Sequence, residues 1–432
     1  MKLLIFTPYI PYPINSGGNR YVFTLIDHIR KFVDVSIALT TKFSGIENVA
    51  SLQKLWPNVK FFVYDEKNEI NINIESPKYY KFLLKMKASI GRKLVRQVVE
   101  RGENYALRRN SSIYTDFYEP LSKGYLNFVS SIFENNSFDL VQVEFFDLLS
   151  LTNVIPKSVK KIFIHHELRY VKNEREYAAL TTPNVNDLYL KEFSKKIEIQ
   201  HLLSYDAVVT LTGLDKEKLE TVLNQSVPVY SSSAIIDIPE NSIPETVEFN
   251  NNIIFLGGTN HFPNKDGIDW FLNNCWQRIH SQNKNLKLQI IGAWSDKSII
   301  EYTRRYPNII FTGFVDDLSA ELKDAIMIIP IRIGSGIRIK ALDAIANGVP
   351  IVATSVGVEG LGLADGEDAF IKDTADSFAD AVLSLASDNS LFQKFRCNAV
   401  KSLAICKNSK DAVNERLNIY RDVLALKDKE NN

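Results

Sequence analysis

The feature that most constrains this chain is a rhythm. Short runs rich in Ile, Val and Phe recur along it, separated by longer stretches in which apolar residues return every three or four positions. Runs that are apolar throughout suit strands covered on both faces, and the helical stretches between them supply the crossovers that parallel strands need. The rhythm predicts an α/β fold of doubly wound sheets. In the first half it places strands at 2–7, 34–40, 59–64, 138–144, 161–166 and 205–211. In the second half it places them at 252–257, 286–291, 308–313, 325–331, 349–354 and 368–372.

Two separate series imply two Rossmann-like domains, and 432 residues exceed the roughly 250–300 at which one core tends to split. The proline-bearing stretch 237–244 lacks either period and reads as the linker. The first domain is then expected over 1–236, the second over 245–405, and a terminal helix over 409–427, with Lys427–Asn432 fraying.

The 51 Lys and Arg balance 51 Asp and Glu, which removes the electrostatic case for a nucleic-acid partner. Three cysteines, Cys275, Cys397 and Cys406, form neither a disulfide framework nor a zinc pattern, and a reducing cytoplasm fits them. The opening apolar run is cut by Pro8, Pro11 and Pro13, so it reads as a strand and not a signal peptide. No apolar run reaches the ~18 residues that span a bilayer.

The segment 66–136 is long for one connection and reads as a helical insertion. Its part from 78 to 109 is basic, with Lys78, Lys81, Lys85, Lys87, Arg92 and Lys93 interleaved with Tyr79, Tyr80 and Phe82. Such a segment suits either solvent or peripheral contact with anionic lipid at the inner face of a membrane.

Candidate chemistry lies where strands end. After the first strand, Ser16-Gly17-Gly18-Asn19-Arg20 opens a helix, where free N–H groups can meet an anion; a tight turn with positive φ is the plainer alternative. Near 325–350, a buried strand runs into Gly334-Ser335-Gly336-Ile337-Arg338-Ile339-Lys340, and a helix expected from about Gly336 follows. Arg338 and Lys340 beside these glycines make a diphosphate cradle, and Asp343 can accept from sugar hydroxyls. The plainer alternative is a surface pair of Lys340 with Asp343. At the end of the fifth run, His165 or His166 can contact a sugar or move a proton, with Glu167 to orient it. Adjacent strand side chains point to opposite faces, so the two histidines do not make a metal site. Gly257-Gly258 with Lys265 forms another glycine turn with a cation, weak by itself.

With these pieces in place, the chain resembles bacterial glycosyltransferases of family 4, retaining enzymes of the GT-B fold. The likeness rests on the loop ending at Arg20, on Phe138 to Glu144, on His165-His166-Glu167 and on Tyr205 to Thr210. In the second half it rests on Pro263-Asn264, Phe311 to Asp317, Gly334 to Pro350 and Val356 to Leu361. It implies transfer of a sugar from a nucleotide donor, UDP- or GDP-linked, to a glycan or lipid-linked acceptor in capsule, lipopolysaccharide or exopolysaccharide assembly. The donor is a substrate, and neither cofactor nor metal is implied. By the same analogy the first domain binds acceptor, the second binds nucleotide, and the terminal helix crosses back to the first domain.

The resemblance also implies donor contacts from Gly257, Gly258, Asn264 and Lys265 on one side of the pocket, and from Gly334, Ser335, Gly336, Asp343 and Glu359 on the other. Ser16, Gly17, Gly18 and Arg20 would form an acceptor or phosphate loop. Two departures stand out. The family's paired glutamates correspond to Ser335 and Asp343, and Gly258 stands where many members carry Arg, a charge that Arg338 and Lys340 can replace. A glycosyl transfer to a diphosphate leaving group needs fixed donors at phosphate more than a strong base. Alternatives are a nucleotide-sugar epimerase and a non-catalytic nucleotide-sugar-binding subunit.

Overall fold

The computed structural model describes residues 1–14, 16–40, 47–65, 112–115, 120–235, 247–259, 261–315, 317–406 and 409–426. The expected linker at 237–244, the basic segment 78–109 and the terminal Lys427–Asn432 lie outside the described residues, as does most of the insertion.

Seven parallel strands make the first sheet: β1 (Lys2–Thr7), β2 (Asp34–Thr40), β3 (Lys60–Tyr64), β4 (Leu140–Glu144), β5 (Lys160–His165), β6 (Ala207–Thr210) and β7 (Val229–Ser231). Their order is β3-β2-β1-β4-β5-β6-β7. Six make the second: β8 (Asn252–Leu256), β9 (Lys287–Ile291), β10 (Ile309–Gly313), β11 (Ile326–Ile329), β12 (Ile351–Ala353) and β13 (Phe370–Ile371), in the order β10-β9-β8-β11-β12-β13. Each expected run holds a strand. The periodicity missed β7, a three-residue edge strand after Pro228 that is too short to show alternation. The run 325–331 ends early because Pro330 cannot donate to a ladder.

Why the strands are apolar throughout is visible in β1. Leu3, Leu4, Ile5 and Phe6 are all fully buried. Leu3 and Ile5 face one core, whereas Leu4 and Phe6 face the other, as a period of two requires. The first of these cores continues into the second domain, partly through the helix Ser409–Ala425. That helix lies against the helix Gly17–Ile29: Arg416 Nη2 donates to the Tyr21 hydroxyl at 2.8 Å and Nε to Ser232 Oγ at 3.1 Å.

The strand order reverses between β1 and β4 in one sheet and between β8 and β11 in the other. Crevices beyond the carboxyl ends of strands at such points are where open α/β sheets bind ligands. No helix among the described residues is long and apolar enough to cross a membrane.

Candidate functional site

The first wall of the cleft is built at the ends of β4 and β5. β5 delivers His165 to one side and the next residue, His166, to the other. His165 is buried and its Nε2 lies 2.8 Å from Glu198 Oε1. Glu198 also accepts from the backbone N–H groups of Arg169 (3.0 Å) and Tyr170 (2.8 Å), capping the helix Arg169–Ala178, which lacks a side-chain cap of its own. His165 therefore belongs to a buried structural knot within the first domain.

His166 faces the cleft. Its Nε2 sits 2.6 Å from Oε2 of Glu144, a fully buried carboxylate at the end of β4. The ring stacks on Phe145 at 4.0 Å and 10°, and the edge of Tyr21 closes the other side at 4.7 Å. Phe145 has φ 67°, a costly conformation for an aromatic residue, and strain of this kind collects at functional sites. Glu144, not Glu167, orients the histidine. Sequence reasoning quoted Glu144 without giving it a role; a carboxylate ending a strand at the reversal of sheet order was the signal.

Glu167 looks toward the second domain. Burial would raise its pKa, but Lys172, Arg169, His261 and Arg338 together outweigh that and hold it at about 2. Lys172 Nζ is 3.5 Å away and Arg169 Nη1 3.7 Å, while Oε1 accepts from Ser335 N at 3.4 Å.

The opposite wall follows β11. Gly334 and Gly336 have φ of 130° and 75°, which a helix cannot use, so the helix starts at Ile339 (Ile339–Ala346) and not near Gly336. The reason for glycine is close approach: a Cβ on Gly336 would strike the carbonyl oxygen of His166. Ser335 is almost fully buried and its Oγ donates to Asp215 Oδ1 at 3.0 Å. It serves domain contact in this arrangement and offers no carboxylate to a sugar.

Arg338 donates through Nη1 to the carbonyls of Ser335 and Gly336, but its Nε and Nη2 are buried without a partner. Lys340 Nζ donates to the neutral Asn264 Oδ1 at 2.8 Å and lies 4.7 Å from the centre of the Phe255 ring. Burial, then Arg338, lowers its value to about 7. The surface pair with Asp343 does not form. Asp343 is instead buried 2.6 Å from Arg20 Nη1, and burial raises it to about 6 against the pull of Arg20. His261, an exposed residue beside this cluster, has its pKa pushed down by desolvation and by Lys172, Lys340 and Arg338, against the opposite pull of Glu167.

Other expected residues have other partners. Glu359 is gripped by Arg175 (2.8 Å) and Lys218 (2.8 Å) from the first domain and held at about 2, the two cations outweighing its burial. Lys265 pairs with Asp269 at 2.5 Å. Gly257 packs against the Asn264 side chain and Gly258 against the Ala293 carbonyl, so both fit close contacts. Ser16 caps its helix through Asn19 N (3.1 Å), and neither Gly17 nor Gly18 has positive φ. Added Cβ atoms there would stand 3.2 Å from Ile339 and 3.1 Å from Phe145, so Gly17 lets the two walls meet while Gly18 lets its helix approach Phe145 within the first wall. Among the described residues, no three His, Cys, Asp or Glu side chains are grouped to hold a metal.

Two Rossmann-like domains facing across a cleft make this a GT-B fold, and solved structures agree. TarM of S. aureus, in complex with fondaparinux, alpha-GlcNAc-glycerol and UDP, is 12% identical with a TM-score of 0.63, covering 97% of this chain and 99% of that one. Anabaena Alr3699/HepE, in complex with UDP and glucose, is 10% identical with a TM-score of 0.62 over 98% and 100%. The pneumococcal O-GlcNAc transferase GtfA, in complex with UDP and GlcNAc, is 13% identical with a TM-score of 0.61 over 99% and 99%. Residues 250–388 match the family model described as "Glycosyl transferases group 1". An uncharacterised 44.6 kDa protein of the cps region of Klebsiella pneumoniae is 29% identical over 158 residues, which span 35% of this chain and 41% of that relative.

Proposed function

We propose that this chain is a retaining glycosyltransferase that moves a sugar from a nucleoside diphosphate to a glycan or lipid-linked glycan during surface-polysaccharide assembly. One observation carries the reading. Arg338 and Lys340 stand in the cleft with no carboxylate ion-pair partner among the described residues, and Arg338 keeps two buried donor atoms unused. Leaving buried charged donors unpaired is costly, so the arrangement makes physical sense when an anion completes it. The adjacent glycine loop brings backbone close to that position, and the solved neighbours hold UDP. The cps-region relative supports a polysaccharide pathway.

In the proposed reaction the bond from the sugar C1 to the diphosphate oxygen breaks while a bond from C1 to the acceptor oxygen forms. The acceptor proton passes to a donor phosphate oxygen. Arg338 and Lys340 stabilise the negative charge growing on the leaving group, which is where fixed electrostatics accelerate transfer most. His166 holds a hydroxyl of the moving sugar, and Asp343, freed from Arg20, accepts from the ribose. The transfer is read as metal-independent because these two cations occupy the role a metal would fill. The product should keep the donor's anomeric configuration and form at an unchanged rate with chelator present. An inverted product, or activity abolished by chelation, overturns this mechanism; nucleotide binding without turnover returns the non-catalytic alternative.

Asp343 gives a second expectation. Its folded value lies above the unfolded one, so the native state binds the proton more tightly, and the stability linked to it is full below about pH 4 and lost as pH rises through about 6. Asp343→Asn should therefore stabilise the free protein near pH 7.5 while weakening nucleoside-diphosphate binding on the order of ten-fold. Calorimetric titration with UDP and GDP, paired with thermal unfolding, reads both effects. Unchanged affinity would remove Asp343 from the site.

A further inference from the structure

We propose that the helix Ser409–Ala425 positions the His166 imidazole from behind, through Tyr420 and Gln142 on one side and Arg416 and Tyr21 on the other, leaving Nδ1 as the ring nitrogen offered to substrate. The inference deepens the role given to His166 above, and only its kinetic arm rests on that reading.

The first arm is a chain of hydrogen bonds with one consistent polarity. The Tyr420 hydroxyl donates to Gln142 Oε1 at 2.6 Å, Gln142 Nε2 donates to Glu144 Oε1 at 2.5 Å, and Glu144 Oε2 meets His166 Nε2 at 2.6 Å. Tyr420, Gln142 and Glu144 are all fully buried, so no solvent competes for these groups. Gln142 and Glu144 stand two apart on β4 and share a face. Turning the Gln142 amide over would set its oxygen against the Glu144 carboxylate, two acceptors face to face, and this fixes the amide as it stands. Burial raises Tyr420 above the usual phenol range, which keeps it a donor. A carboxylate can only accept, so the proton between Glu144 and His166 belongs to Nε2.

The second arm leaves the same helix four residues earlier, on the same face. Arg416 Nη2 donates to the Tyr21 hydroxyl at 2.8 Å, and the Tyr21 ring abuts His166 at 4.7 Å and 81°. Ring position is thus set by Tyr21 and Phe145, and the tautomer by Glu144 and what stands behind it. Connected buried polar groups hold each other more firmly than isolated pairs.

Nitrogen NMR of the histidine rings in the free protein tests this without donor or acceptor, with His166→Gln identifying the His166 signals. The neutral His166 ring should show one tautomer, protonated at Nε2 and bare at Nδ1. Tyr420→Phe removes only the hydroxyl, and both ring nitrogens should then move toward the averaged shifts of a tautomer mixture. Gln142→Met cuts the same chain from the sheet and decides the matter if Tyr420→Phe does not fold. A wild-type ring protonated at Nδ1, or unchanged ring shifts in a folded variant, overturns the proposal. In a transfer assay, Tyr420→Phe should lower kcat on the order of ten-fold while donor KM and UDP-induced stabilisation stay as in wild type. A wild-type protein that turns nothing over would sink the glycosyltransferase reading and leave the ring signature standing.

Discussion

Lys340→Met and Arg338→Ala should each remove about half or more of the stabilisation that a nucleoside diphosphate confers on the wild-type protein. A ligand at about 100 times its dissociation constant adds roughly 2.7 kcal/mol to the free energy of unfolding. Each of these cations is expected to supply a charge-assisted hydrogen bond worth about 1.5–3 kcal/mol, so its loss weakens binding by roughly ten- to a hundred-fold. At the same ligand concentration the stabilisation should then fall to between about 1.4 and about 0.4 kcal/mol, and the rise in unfolding temperature should shrink in proportion.

Lys340 carries a further signature. Its folded value, about 7, lies below the unfolded one, so the native state sheds the proton between the two. The resulting penalty grows as pH falls from the unfolded value to about 7 and stays constant below that. Lys340→Met removes this penalty. Although the Lys340 residue keeps some contact with solvent, which reduces the gain, the free protein should be more stable by on the order of 1 kcal/mol at pH 7. Above pH 7 the wild-type site must take up a proton to bind diphosphate, so affinity should fall with pH, and this slope should disappear in Lys340→Met. Thermal unfolding with and without UDP and GDP between pH 6 and pH 9 reads all three effects. A full ligand shift in both variants would show that the anion, and with it the donor, binds elsewhere.

The two neighbouring histidines should fail in different ways. His166→Gln keeps a donor for Glu144, so fold and nucleotide response should survive while transfer drops on the order of a hundred-fold. His165→Ala leaves the Glu198 carboxylate buried without its imidazole, and losing one partner of a buried pair costs about 3–5 kcal/mol. That variant should lose stability, and whatever stays folded should retain its turnover. Transfer unaffected by His166→Gln would sink the assignment of His166 to the sugar. Equal stability of His165→Ala would mean that the helix Arg169–Ala178 does not depend on this pair.

Much of the site was legible because its parts follow strand ends. Gly334 to Lys340 and the His165-His166 pair could be picked out from the residues alone, since strand ends and a strand–glycine–helix passage in an α/β chain mark a crevice. The partners could not. Arg20 lies more than 300 positions from Asp343, and Tyr420 stands far from Gln142 in the chain. Glu359 illustrates the same limit: its motif pointed to the donor, and nothing local in the sequence showed that Arg175 and Lys218 would hold it from the first domain. Lys265, expected beside the donor, is paired in the structure with the i,i+4 carboxylate of Asp269.

Local physics in the sequence was enough to determine two parallel sheets and where every strand but the short edge strand β7 lies, because apolar runs and helical periods report the burial of the longer elements. It also determined which strand ends carry glycine and charge. Which histidine faces the cleft, which carboxylate orients it and which cations stay unpaired were decided only by tertiary structure. Those outcomes depend on side chains from two domains and a terminal helix arriving at one place, and no local pattern records the distance at which they meet.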